Sequence, residues 1–269
     1  VEKRTTGHDE IMKSDLILEN ALVAGSFGTL TVDEKQTQKG LVVRGVMRKK
    51  AVDKCIETGR DFWYVDTGYL GNFPSKNDPK GKKKWNRVVK NENQLSKLRD
   101  VPADRFNSLV IDDPRLKWNG WKNYDKKILL VMPNPKACKY YDVDYDKWVK
   151  ETKEKISQYT DLPVVERIKG TRRERNTNTI YDALDEGVYA TVAFNSIAAL
   201  ESIVYGVPAF VSVPCAATPL ASTDLSQLAN PFKPTADLIE KQCHNLAYGQ
   251  FTMEEMEDGT AYKLVERYS

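Results

Sequence analysis

Apolar and polar residues alternate along this chain in short blocks that predict strands and helices in turn. The clearest block runs from Gly187 to Val213, GVYATVAFNSIAALESIVYGVPAFVSV. Residues 189–194 form a short apolar run rich in β-formers, which suits a buried strand. Asn195 and Ser196 follow at once, and both are residue types that cap a helix N-terminus. Ile197, Leu200 and Val204 recur at i, i+3 and i+7 and so share one helix face. Gly206 stands where a C′ glycine belongs, and Pro208 forbids continuation. Residues 209–213 are a second apolar run. A strand, helix and strand this short predict a parallel βαβ unit with a right-handed crossover.

The same rhythm appears elsewhere. Residues 41–43 predict a strand, 46–58 a helix with Met47, Ala51, Val52, Cys55 and Ile56 on one face, and 62–65 the next strand. Gly59 is the expected C′ residue of that helix. Further on, 128–132 and 163–168 predict strands around a helix over 145–159, whose Trp148, Thr152 and Ile156 share a face. Residues 179–186 read as a short helix. Residues 1–14 are polar and expected to fray, with a strand region over 15–18 and 21–25. Residues 72–94 are expected to form a mobile loop and 95–125 a loop-rich stretch in which Trp118 and Trp121 are packing anchors. Tail helices are expected over 235–248 and 252–257, the second opened by a Thr252/Glu255 capping box. The alternation predicts an α/β fold with domains over 1–125 and 126–269, and by itself allows several doubly wound folds.

Composition narrows the function classes. A 269-residue chain with 41% hydrophobic content can bury one large or two modest cores. Its balance of +3 is too small to announce nucleic acid, so local clusters matter more. The four cysteines, 55, 138, 215 and 243, include no CxxC pair, which supports neither a zinc site nor a redox motif and fits a reducing cytoplasm. With His8 and His244 as the only histidines, a histidine triad or metal centre is not expected, and Asp112 with Asp113 lacks further ligands. No run approaches the roughly 20 apolar residues of a membrane span. The opening VEKRTTGHDE has no apolar h-region, so neither a leader peptide nor a membrane partner is expected.

Three places carry candidate chemistry. At Asn195–Ser196 a parallel strand gives way to a helix, where free N–H groups and the helix dipole attract phosphate; an ordinary capped βαβ unit has the same pattern. Glu201 is too far into that helix to close a capping box, so it either accepts hydrogen bonds from a ribose or is solvated. The strand exit VERIKGTRRER is a basic, glycine-containing loop suited to a diphosphate, with Arg172 and Arg173 open to DNA phosphates or to solvent. Asp66-Thr67-Gly68-Tyr69 follows a predicted strand, where ligands bind in open α/β sheets. Asp66 is either a base or a turn former, and Tyr69 either stacks on a planar acceptor or is packed. Lys80, Lys82, Lys83 and Lys84 precede Trp85, Arg87 and Lys90, a basic stretch with one aromatic that suits a phosphate backbone and a stacked base, or else is a solvated loop.

The segment FNSIAALESIVYGVPAFV resembles the donor-binding segment of GT-B-fold glycosyltransferases, in which a small-polar turn, a helix with an acidic residue and a G-x-P exit line the nucleotide-sugar site. WYVDTGYLGN at Trp63, NRVVKNENQ at Asn86, NPF at Asn230 and HNLAYGQFTMEEMEDG at His244 are similar to small phage glycosyltransferases, some of which decorate hydroxymethylated bases in phage DNA. The resemblance covers the chain from about Phe62 onward. It implies two Rossmann-like domains facing a cleft, an acceptor domain over 1–125 and a nucleotide-sugar domain over 126–269 whose last helices pack back over the junction. It implies that Arg167, Lys169, Asn195 and Ser196 hold the diphosphate of a UDP-sugar, that Glu201 meets the ribose, and that Asp66 is the catalytic base. Tyr69, Lys82, Lys83, Lys84, Arg87, Arg172 and Arg173 would then meet the acceptor, the 5-hydroxymethyl group of modified cytosine in duplex DNA, in the host cytoplasm if phage-encoded. The nucleotide-sugar is a co-substrate, with no tightly bound cofactor and no metal expected. Transfer to a surface glycan or small molecule, and a non-catalytic nucleic-acid-binding protein on a Rossmann-like scaffold, are the alternatives.

Overall fold

The computed structural model describes residues 7–72, 84–168 and 179–269, with side chains at the N-terminus from Leu16 onward. In chain order, helix α1 (Gly7–Ala24) leads to β1 (Leu30–Thr31), β2 (Gly40–Arg44), α2 (Lys49–Thr58), β3 (Phe62–Thr67) and β4 (Asn86–Lys90). Then come α3 (Asp104–Asp112), β5 (Lys127–Val131), α4 (Pro135–Tyr140), α5 (Tyr145–Tyr159) and β6 (Val164–Arg167). Next are α6 (Ile180–Asp185), β7 (Val188–Ala193), α7 (Ile197–Tyr205) and β8 (Ala209–Val211). The chain closes with α8 (Ala236–Ala247), β9 (Gln250–Phe251), α9 (Met253–Glu257) and α10 (Thr260–Tyr268).

Two expectations change. The strand region over 15–18 and 21–25 is helical: Leu18, Ala21 and Leu22 are buried at i, i+3 and i+4, a helix period. Within the expected loop 72–94, residues 73–83 lie outside the described residues, and Asn86–Lys90 is a strand, because β3 and β9 supply ladders on both its sides. Residues 95–125 are loop-rich as expected, with one helix, α3, whose Phe106 and Leu109 bury one face against α8.

The residues pack as two units. The described part of the first comprises 7–72, 84–93 and 248–269, and that of the second 94–168 and 179–247. Packing therefore groups 94–125 with the second unit and the tail with the first, where the sequence pattern divides the chain at 125/126. In the first unit the sheet order is β1-β2-β3-β4-β9, with β1 to β3 parallel and β4 antiparallel to both neighbours. Leu41, Val43, Phe62 and Tyr64 pack on α2 through Ala51, Val52 and Cys55. On the other face Val42, Trp63, Val65 and Val88 meet Leu18 and Leu22 of α1, with Phe251, Met256 and Val265 from the tail. The tail is thus part of the first core, not an appendage.

In the second unit all strands are parallel, in the order β6-β5-β7-β8. Ile128, Leu130, Ala190 and Val192 face Ile156 of α5. On the opposite face Thr191 Oγ1 and Ser202 Oγ of α7 lie 2.9 Å apart in a buried hydrogen bond. Helices cover both faces, and the chain runs from β5 outward to β6, then back to β7 and β8, so its direction reverses between β5 and β7. The protein is α/β, with two sheets of which one is all-parallel. No helix among the described residues is long and apolar enough to cross a membrane.

Candidate functional site

Each unit ends a set of parallel strands in chemically distinct loops. In the second, the ends of β5 and β7 are neighbours, with Val131 paired to Ala193. Crevices outside such ends, at the reversal of strand order, are where open α/β sheets bind ligands. Ser196 closes the β7 exit: its backbone is extended, and its hydroxyl accepts from Ala198 N at 3.2 Å, capping α7. Asn134 does the same at the β5 exit, accepting from Lys136 N at 2.9 Å. Arg167 ends β6 opposite Val131, and its carbonyl accepts from Met132 N at 2.9 Å. The Asp182 carboxyl is held below its ordinary range by the Thr179 hydroxyl and N–H, with a smaller contribution from the Arg167 charge. Beneath the β7 exit is an apolar floor of Phe194, Ala137 and Cys138, with Trp148 alongside. The Trp148 indole N–H donates to Ser212 Oγ at 3.0 Å.

Glu201 is buried, 8% exposed, in the second turn of α7. Its charge acts on Arg115 and Tyr181: burial pushes the Tyr181 phenol up, and Glu201 pushes it further. Arg115 grips Asp113 with two hydrogen bonds of 2.7 Å and lies over the Tyr181 ring at 5.5 Å. Glu201 thus belongs to a charged cluster between α7, α6 and the 114–116 turn. Lys169, Arg172 and Arg173 lie outside the described residues.

In the first unit Asp66 stands near the end of β3, directly opposite Arg87 in the antiparallel register. Its Oδ2 accepts from Arg87 Nη2 at 3.1 Å, and its Oδ1 accepts from Thr67 N at 2.7 Å. The Tyr64 hydroxyl approaches Oδ2 at 3.4 Å. Side-chain exposure is 13% for Arg87 but 31% for Asp66, so the carboxylate is the member of the pair that meets solvent. The guanidinium lies 5.4 Å from the Tyr64 ring centre and 5.5 Å from that of Tyr69. Burial disfavours its charge, but Asp66, then Tyr69 and Tyr64, hold it protonated above its ordinary range. Tyr69 is 4% exposed, with its ring turned to Arg87. Lys84 is exposed, while Lys82 and Lys83 lie outside the described residues.

Sequence reasoning placed Asp66 and Tyr69 in one motif and Arg87 in another stretch; the β3–β4 register joins Asp66 to Arg87, and Tyr69 meets Arg87 through its ring. It missed Gln250 altogether. This residue of β9 is fully buried and bonds to the backbone of the loop that follows Asp66. One buried carboxamide in a two-residue strand has no periodic signature, and only the GQF triplet inside the tail motif marks it. Among the described residues, no group of three or more His, Cys, Asp or Glu side chains could hold a metal ion.

No protein-family model matches the chain, and no curated protein matches it. Among solved structures, it is similar to the beta Kdo 2,4 transferase of Thermosulfurimonas dismutans KpsC, with a TM-score of 0.45 and 11% identity over 75% of this chain and 78% of that one. It is also similar to the beta Kdo 2,7 transferase of the same KpsC, with a TM-score of 0.47 and 12% identity over 87% of each chain.

Proposed function

We propose that the protein is a glycosyltransferase that moves a sugar from a nucleotide-sugar, a UDP-sugar, to a hydroxyl, the 5-hydroxymethyl group of modified cytosine in duplex DNA. The observation that carries the reading is the capped start of α7, beside the end of β5, where the parallel sheet reverses its strand order. Backbone N–H groups at such a start favour a diphosphate. In this reading Asn195, Ser196, Arg167 and Lys169 hold the diphosphate and stabilise it as the leaving group. Glu201 is the carboxylate offered to the ribose; its burial beside Arg115 supports a role in orienting α7 equally well.

Asp66 accepts the acceptor hydroxyl proton as that oxygen attacks the sugar carbon. The oxygen–carbon bond forms, the bond to the diphosphate breaks, and the nucleoside diphosphate leaves with the electron pair. The partial exposure of Asp66 supports this role, and Arg87 and Tyr69 serve it from beneath. Lys82, Lys83, Lys84, Arg172 and Arg173 grip the DNA backbone. The first unit then takes the acceptor and the second the donor, in the two-domain GT-B manner.

The test is a transfer assay read by mass spectrometry. Duplex DNA with 5-hydroxymethylcytosine, beside unmodified DNA, is incubated with a pool of nucleotide-sugars and digested to nucleosides. A sugar increment on the hydroxymethylated base alone is the expected result. Donor binding without an increment moves the acceptor to another hydroxyl, 5-hydroxymethyluracil or a glycan. Absence of both transfer and donor binding overturns the proposal and leaves a nucleic-acid-binding protein.

A further inference from the structure

The loop after Asp66 has no secondary structure of its own, yet its backbone groups are bound. Gly68 N donates to Trp85 O at 2.8 Å, and a Cβ on Gly68 would sit 2.8 Å from that same oxygen. Tyr69 N and Leu70 N both donate to Gln250 Oε1, each at 2.8 Å, and Gln250 Nε2 donates to Leu70 O at 3.0 Å. Asn72 Oδ1 accepts from Trp85 N at 3.0 Å. One side chain, some 180 residues further along the sequence, thus satisfies three backbone groups of this short segment. Gln250 is itself fixed opposite Arg87 in the β4–β9 pair.

We infer that Gln250 is a positioning residue: its carboxamide holds the 67–72 loop so that Tyr69 stays against Arg87, and Arg87 stays on Asp66. The inference rests on the reading of Asp66 as the base. The carboxamide is suited to this task because it offers one oxygen that accepts two N–H bonds and one amide that donates. A carboxylate lacks the donor, and at full burial its charge is costly. An apolar side chain leaves all three backbone groups unpaired. The contact is indirect, through the Tyr69 ring and the Arg87 guanidinium, so Gln250 itself does not touch the reacting atoms.

The experiment compares Gln250→Leu and Gln250→Glu with the unaltered chain, alone and combined with Asp66→Asn, after a thermal melt confirms folding. Each single variant is expected to lose about 100-fold in kcat, the scale of a 1 Å misplacement, with KM for the nucleotide-sugar held within about two-fold. Added to Asp66→Asn, either variant is expected to lower the remaining rate no further, since both act through one carboxylate. A folded variant with unchanged kcat overturns the inference, and so does an equal loss in both backgrounds. Hydrogen exchange on the unaltered protein tests the clamp without any substitution: slow exchange at the Tyr69 and Leu70 amides is expected, and rapid exchange there overturns it. Full transfer by Asp66→Asn instead fells the base reading, and the positioning role with it, while slow exchange persists.

Discussion

The exits of β7 and β3 solve one problem, holding functional groups at a strand end, in opposite ways. After β7 the answer is local: Ser196 caps α7, Gly206 closes it in the left-handed conformation, and the helix packs back on the strand through Ser202 and Thr191. After β3 the answer comes from far away: Arg87 of β4 takes the Asp66 carboxylate, and Gln250 of β9 takes the loop backbone. The second unit has its own distant clamp, though not at this exit. Gln242 and Asn245 of α8, both fully buried, bond to the carbonyls of Leu95, Ala216 and Lys97 and to each other. A helix N-terminus presents groups that its own hydrogen-bond pattern leaves unpaired, so it binds at low organisational cost. A carboxylate in a loop has no such default geometry and must be held by its surroundings.

That contrast can be broken by substitution. Asp66→Asn removes the base and is expected to lower transfer by about 10²–10⁴-fold, with nucleotide-sugar affinity by calorimetry unchanged. Retained transfer would make the β3 exit structural. Arg87→Leu leaves Asp66 Oδ2 without its cationic donor. The carboxylate is one-third exposed, so the cost is expected near 2–3 kcal/mol in urea unfolding, below the roughly 3–5 of a fully buried pair. Ser196→Ala, at the local exit, is expected to cost about 1 kcal/mol of stability and to weaken nucleotide-sugar binding while leaving Asp66 in place. A change in donor affinity from Arg87→Leu as large as that from Ser196→Ala would erase the division of labour.

The smallest effect concerns pH. Asp182, which closes the cap of α6 with Thr179, is held below its ordinary value of 3.8. Its contribution to stability is therefore present above that value and lost as pH falls through the lower, folded-state one. Acid unfolding curves should show a slightly flatter slope below pH 3.8 for Asp182→Asn than for the unaltered chain.

The β7–α7–β8 unit is legible almost residue by residue, because apolar period, cap and C′ glycine all lie within one short stretch. Helix α5 coincides with its expected range, and the Thr252/Glu255 capping box stands as expected, for the same reason. Helix α1 is misread against a local period, Leu18, Ala21 and Leu22 at i, i+3 and i+4, but β4 and the Asp66–Arg87 pair escape because the deciding partner is distant. Asn86–Lys90 holds only two adjacent valines between polar residues, and it becomes a strand because β3 and β9 flank it. Asp66 and Arg87 stand out singly by residue type and place. Their pairing follows from an antiparallel register that no local period encodes. Gln250 is the extreme case, a polar residue whose burial reverses what its chemistry suggests in isolation. Local hydrogen bonds and apolar periodicity are written into consecutive residues. Register between strands, and the satisfaction of buried polar groups across long sequence separations, exist only once the chain has folded back on itself.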